Sequence, residues 1–160
     1  MNSRDAARAV ILVAIAVALG FVSIPVGISR ISPGQHMVNV LAAVMLGPAY
    51  AVGIATATAI IRNILGIGTF LAFPGGIFGA FLAALAYRGF KNVYVAGLGE
   101  VVGTGLLGSL VSVLIVAPLF MGKPMALGAI MLAFSLSTFA GTVIGIAALH
   151  GLRKAGIWKP

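Results

Sequence analysis

Residues 62–79 read RNILGIGTFLAFPGGIFG, and the rest of the chain is organised around them. The stretch follows a long apolar run. It contains Arg62, Asn63, Thr69 and a Pro-Gly-Gly break at 74–76, while the sequence on either side is almost purely hydrophobic. An arginine at the end of an apolar span is costly in hydrocarbon, as is irregular backbone after it. Both persist only where they face protein, water or a ligand. Together with Glu100, the stretch reads as the polar centre of a small membrane protein.

Composition supports the bilayer as solvent. Of 160 residues, 61% are hydrophobic and 8% charged, with a mean hydropathy of +1.20. Twelve charged side chains cannot hydrate the surface of a soluble domain this long. The 22 glycines suit close helix packing in lipid. The formal charge of +8 does not mark a nucleic-acid surface, because the basic residues lie in the gaps between apolar runs without interleaved aromatics. With no cysteine there is no disulfide, thiolate metal site or cysteine nucleophile.

The apolar runs predict an all-α integral membrane protein of six transmembrane helices in a single domain, 1–160. The helices fall at about 6–24, 36–46, 49–65, 75–87, 93–118 and 126–149. The first run continues past the Ala14-Ile15-Ala16 cleavage-like triplet, so it reads as an uncleaved span that ends at Pro25. Residues 25–35, PVGISRISPGQ, read as a loop. Residues 66–74 read as an irregular return crossing, and Pro74 opens the fourth helix. Trp158 is placed as an interfacial anchor. Arg4, Arg8, Arg88, Lys91, Arg153, Lys154 and Lys159 fall on one side. Arg30, Arg62 and Lys123 fall on the other, so the positive-inside rule puts both termini in the cytoplasm. No inverted internal repeat is visible.

Few polar residues interrupt the helices. Glu100, the only acidic residue after Asp5, shares a helical face with Gly103, Thr104, Leu107 and Gly108. A buried carboxylate either pairs with a cation, for which Arg62 is the natural candidate, or takes up a proton. His36 and Asn39 share a face with Ala43, just after Gln35. They can cap the bundle mouth or read a polar heterocycle. Thr69, Phe70 and Phe73 could line a pocket, or the rings could face lipid or core. Ser135, Thr138 and Thr142 share a face on the last helix, where hydroxyls commonly return to the backbone or pack between helices. Small residues recur at Ala14 and Ala18, at Ala16 and Gly20, and at Gly75, Gly79 and Ala83. Such ridges let helices approach one another.

There is no GxxxxGK[ST] loop, HExxH, paired carboxylates or serine–histidine arrangement, and no carboxylate chain through several helices. The chain reads as a non-enzyme without cofactor, metal or energy source of its own.

Three blocks in order, PGQHMVNVLAAVMLGP (33–48), RNILGIGTFLAFPGGIFGAFLA (62–83) and LGEVVGTGLLG (98–108), carry a resemblance. From about Ala6 to Leu149 the chain resembles the ThiW-type S components of energy-coupling factor (ECF) transporters. The resemblance implies a six-helix subunit of a prokaryotic plasma membrane that binds the thiamine precursor hydroxyethyl-thiazole, or its phosphate, toward the outer face. A transmembrane coupling subunit and two ATPase subunits would be its partners. Helix 1 would dock through an alanine-x-x-x-alanine surface, which Ala14 and Ala18 match. The loaded subunit would topple in the membrane as the partners hydrolyse ATP. The expected pocket draws on Gln35, His36, Asn39, Arg62, Asn63, Thr69, Glu100, Thr104 and Thr138. Rival readings are an S component for thiamine or riboflavin, a small secondary transporter or channel acting alone, and a membrane scaffold.

Overall fold

The computed structural model describes residues 3–26 and 29–158. Gly27 and Ile28 of the expected first loop, and Lys159 of the basic end, lie outside the described residues. The described chain forms α1 (Ser3–Gly20), a hairpin of β1 (Ile24–Val26) and β2 (Ser29–Ile31), α2 (Pro33–Leu46), α3 (Pro48–Ile64), α4 (Ala72–Phe90), α5 (Val93–Phe120) and α6 (Leu127–Lys154). The strands are antiparallel, with Ile24 opposite Ile31 and Val26 opposite Ser29.

Burial differs from that of a soluble domain. Beside an apolar core that includes Leu12, Val38, Val40 and Ile54, the polar Gln35, His36, Asn39, Arg62, Glu100, Thr104, Ser137 and Thr138 are buried, whereas Phe21, Leu98, Leu114, Leu132 and Phe139 are each about 60% exposed or more. Among the described residues, two helices, α5 and α6, are long and apolar enough to cross a membrane, with mean hydropathies of 2.1 and 1.9.

The first run stops at Gly20, short of Pro25, because the chain enters the hairpin at Ile24. Helix α2 starts at Pro33, earlier than expected; a proline in the first turn has no helical hydrogen bond to lose. The expected crossing at 66–74 is instead a tight turn. Gly66, at φ +70°, closes α3: its N–H reaches Asn63 O at 3.1 Å, and Ile67 N–H reaches Arg62 O at 3.0 Å. This paired capping pattern requires a left-handed residue, the role of glycine here. Helix α4 then begins at Ala72, with Pro74 in its first turn.

Helix α2 is the axle of the bundle, packing against all five other helices. Its 14 residues span only ~21 Å. Ser32, Gln35 and His36 at its N-terminal end border an open space.

On α5, π-helical turns at Gly103–Gly108 and Ser112–Val116 interrupt the α-helix. The α4 and α5 backbones touch there. A Cβ on Gly103 would lie 2.7 Å from Gly79 Cα, and one on Gly108 would lie 2.7 Å from Gly75 Cα. The glycine ridge of the fourth helix is thus spent inside the bundle.

Candidate functional site

A cavity of about 290 Å³ occupies the space beyond α2. Ser32, Gln35 and His36 form its inner wall, Arg62 stands at the end of α3, and the 65–71 turn contributes Ile67, Gly68, Thr69 and Leu71. Thr104 comes from α5 and Ser137 from α6. Met121, Met125, Ile130 and Phe134 supply an apolar wall. The lining therefore has a polar arc facing soft, polarisable hydrophobes, which suits a small aromatic heterocycle with a polar substituent.

Behind the arc lies a buried network centred on Glu100, which is fully buried. Its Oε1 accepts from Asn39 Nδ2 at 3.0 Å and lies 2.8 Å from His36 Nδ1. Thr104 Oγ1 lies 3.2 Å from the same oxygen and donates to Gly75 O at 2.9 Å. A carboxylate only accepts, so in this contact His36 carries its proton on Nδ1. That leaves Nε2 as the other polar atom of a ring that lines the cavity. The Asn39 amide also donates to Gly76 O at 3.2 Å, which fixes α2 against α4. On α6, Gly141 makes room for this arrangement, since a Cβ there would meet His36 Cβ at 2.7 Å.

Arg62 does not pair with Glu100, contrary to the pairing its sequence position favoured. Its Nη1 donates to Gln35 Oε1, and its Nε is buried without a partner. Gly20, where α1 ends, packs on the guanidinium: a Cβ there would sit 2.7 Å from Nε. Glu100 takes its partners through Oε1, from His36 and Asn39 on α2 and Thr104 on its own helix, and its Oε2 is buried without one.

A model of the family described as "Thiamine-precursor transporter protein (ThiW)" matches residues 6–155 of the chain. The chain belongs to the ThiW family. It is accordingly a thiamine-precursor transporter component, a membrane protein that handles a small molecule. No curated protein and no solved structure matches it.

Of the nine pocket residues expected from sequence in this ThiW chain, Gln35, His36, Arg62, Thr69 and Thr104 come together on the cavity wall. Asn39 and Glu100 lie one layer behind, in contact with His36 or Glu100. Asn63 is outside the lining and braces the 65–71 turn, with Nδ2 donating to Ala59 O at 2.8 Å and Thr69 O at 3.2 Å. Thr138 is also outside the lining; it is buried, with its hydroxyl unpartnered. Its neighbour Ser137 takes the cavity position and accepts from Ser32 N–H at 2.9 Å. The aromatic in the lining is Phe134. Phe70 is half-exposed, with its ring 6.3 Å from that of Phe120. Sequence reasoning missed Ser32, Ser137, Phe134 and the two methionines. Helical spacing from Phe134 to Ser137 to Gly141 marks one face of α6 and was the signal available for that helix.

Ala14 and Ala18 are exposed. They line a separate apolar groove of about 1060 Å³ between α1 and α3, with Ala49, Tyr50, Gly53 and Ala57 across it. Ala16 and Gly20, the alternative small pair, are buried in the bundle.

Proposed function

We propose that this chain is the substrate-specific membrane subunit of an ECF-type importer that binds hydroxyethyl-thiazole or its phosphate. The observation that carries the reading is the cavity itself. At about 290 Å³ it stands at the small end of ligand pockets, suited to one five-membered ring with a two-carbon arm and tight for thiamine or riboflavin. Phe134, Met121, Met125 and Ile130 hold the ring, and the polar arc takes the arm. Glu100 and Asn39 act through His36: the carboxylate holds the imidazole proton on Nδ1, so Nε2 accepts from the ligand hydroxyl.

All six helices span the membrane in this reading. The cavity opens where α2, α4 and α6 begin and α1, α3 and α5 end, opposite the basic termini. With Arg4, Arg8, Arg153 and Lys154 cytoplasmic, it faces outward. The groove bearing Ala14 and Ala18 receives the transmembrane coupling subunit, to which two ATPase subunits attach. Uptake follows from toppling of the loaded subunit, powered by those partners.

The test is thermal unfolding of the detergent-purified chain with hydroxyethyl-thiazole, its phosphate, thiamine and riboflavin. Ligand at 100 times its dissociation constant stabilises the fold by about 2.7 kcal/mol. Stabilisation by a thiazole compound and not by riboflavin is the expected result. Stabilisation by thiamine or riboflavin alone discards the precursor, and no shift with any of the four discards the binding reading.

A further inference from the structure

The cavity wall holds a positive charge with no anion to answer it. Arg62 is about 5% exposed, its Nη1 is bonded to a neutral amide, and its Nε is buried without a partner. Asp5 and Glu100 are the only acidic side chains in the chain. Asp5 lies 3.3 Å from Arg8 in the first turn of α1. Glu100 is taken by His36, Asn39 and Thr104. Among the described residues, then, no carboxylate meets Arg62, and none lines the cavity. A buried guanidinium in a membrane bundle ordinarily faces an anion or water.

The groups around Arg62 add donors. The Gln35 carboxamide spends its oxygen on Arg62, so its remaining polar group is an NH₂. Ser32 lines the cavity, and its Oγ is buried without a partner. Thr69 stands exposed on the same lining. An arginine fork, an amide NH₂ and hydroxyls on one wall, with an apolar wall to hold a ring, match a phosphate monoester better than a neutral alcohol.

Resting on the thiazole reading above, we infer that the preferred ligand is the phosphorylated precursor, with its phosphate on Arg62 and supported by Ser32 and Gln35. The ring keeps its place against Phe134 and the methionines. His36 borders the same wall.

The experiment is calorimetric titration of the whole detergent-purified chain with three probes: hydroxyethyl-thiazole, its phosphate monoester and inorganic phosphate. The ester is expected to bind roughly ten- to a hundredfold more tightly than the alcohol, as for charge-assisted bonds to a buried arginine. Inorganic phosphate, lacking the ring, should bind more weakly than the ester. Arg62→Gln should bring the ester-to-alcohol preference to within about threefold, and Arg62→Lys should keep part of it, because an ammonium has no planar fork.

An alcohol that binds as tightly as the ester overturns this inference and leaves the precursor reading standing. Inorganic phosphate binding as tightly as the ester also overturns it, since the site would then take any phosphate. An Arg62→Gln protein that keeps the full preference does the same. Binding of none of the three removes both readings. The wild-type ratio decides the matter even if Arg62→Gln fails to fold.

Discussion

Replacing Glu100 by glutamine tests whether the buried network is built on a carboxylate. The substitution keeps the shape and changes the hydrogen-bond chemistry. At present Oε1 receives Asn39 Nδ2 at 3.0 Å and lies 2.8 Å from His36 Nδ1. A hydrogen bond to a charged group contributes about 1.5–3 kcal/mol and a neutral one about 0.5–1.5, so each contact loses roughly 1 kcal/mol. The other oxygen, Oε2, is buried without a donor. In glutamine that position becomes an NH₂ with no acceptor, at a further cost of about 1–3 kcal/mol. Thr104 adds little to the sum, because its hydroxyl has Gly75 O as a shorter acceptor at 2.9 Å. The total is about 3–5 kcal/mol. The assay is equilibrium unfolding in detergent micelles with rising SDS, run on wild type, Glu100→Gln, His36→Ala and the double variant. The cycle should show a coupling of about 0.5–3 kcal/mol between the two sites. A loss below about 1 kcal/mol for Glu100→Gln, or an unchanged loss in the His36→Ala background, would refute the network as described.

Three further outcomes are expected. Gly79→Ala places a methyl 2.7 Å from both Glu100 oxygens and should cost about 1–3 kcal/mol by overpacking in the same titration; a neutral effect would contradict the close α4–α5 approach. Ala18→Phe projects from an exposed groove position, so the isolated chain should keep its stability within about 0.5 kcal/mol while co-purification of the coupling and ATPase subunits is lost. Retained co-purification would move the docking surface elsewhere. Because the chain has no cysteine, Lys123→Cys and Lys154→Cys can report orientation alone. An impermeant maleimide should label the first in intact cells and the second only after permeabilisation, and the reverse pattern would invert the proposed topology.

The apolar runs were enough to read the helical class and the number of helices, because a chain with so few charges satisfies its backbone polar groups within helices when lipid surrounds it. The membership shown by residues 6–155 agrees with the three blocks read from the sequence. Boundaries failed where two neighbouring signals competed. Pro25 looked like the stop of α1, yet the hairpin claims that segment. Pro33-Gly34 looked like loop, yet it forms the first turn of α2. At 66–74 the polar and glycine residues were read as a crossing, when Gly66 needed only to cap α3 and reverse the chain.

Sequence by itself determined which residues could form a polar centre: Gln35, His36, Asn39, Arg62, Asn63, Thr69, Glu100, Thr104 and Thr138 stood out as polar residues in an almost purely apolar sequence. It also determined that Gly75, Gly79 and Gly103 form surfaces flat enough for close helix contact. Only the tertiary structure decided who meets whom. Helical periodicity specifies a face but not the rotation or depth of that face against other helices. So the partner of Glu100 became His36 on the short central helix, Arg62 was left facing the cavity, and Ser137 rather than Thr138 reached its wall. Phe134 and the methionines joined them because an apolar residue in an apolar sequence carries no local mark of whether it will face lipid, core or ligand.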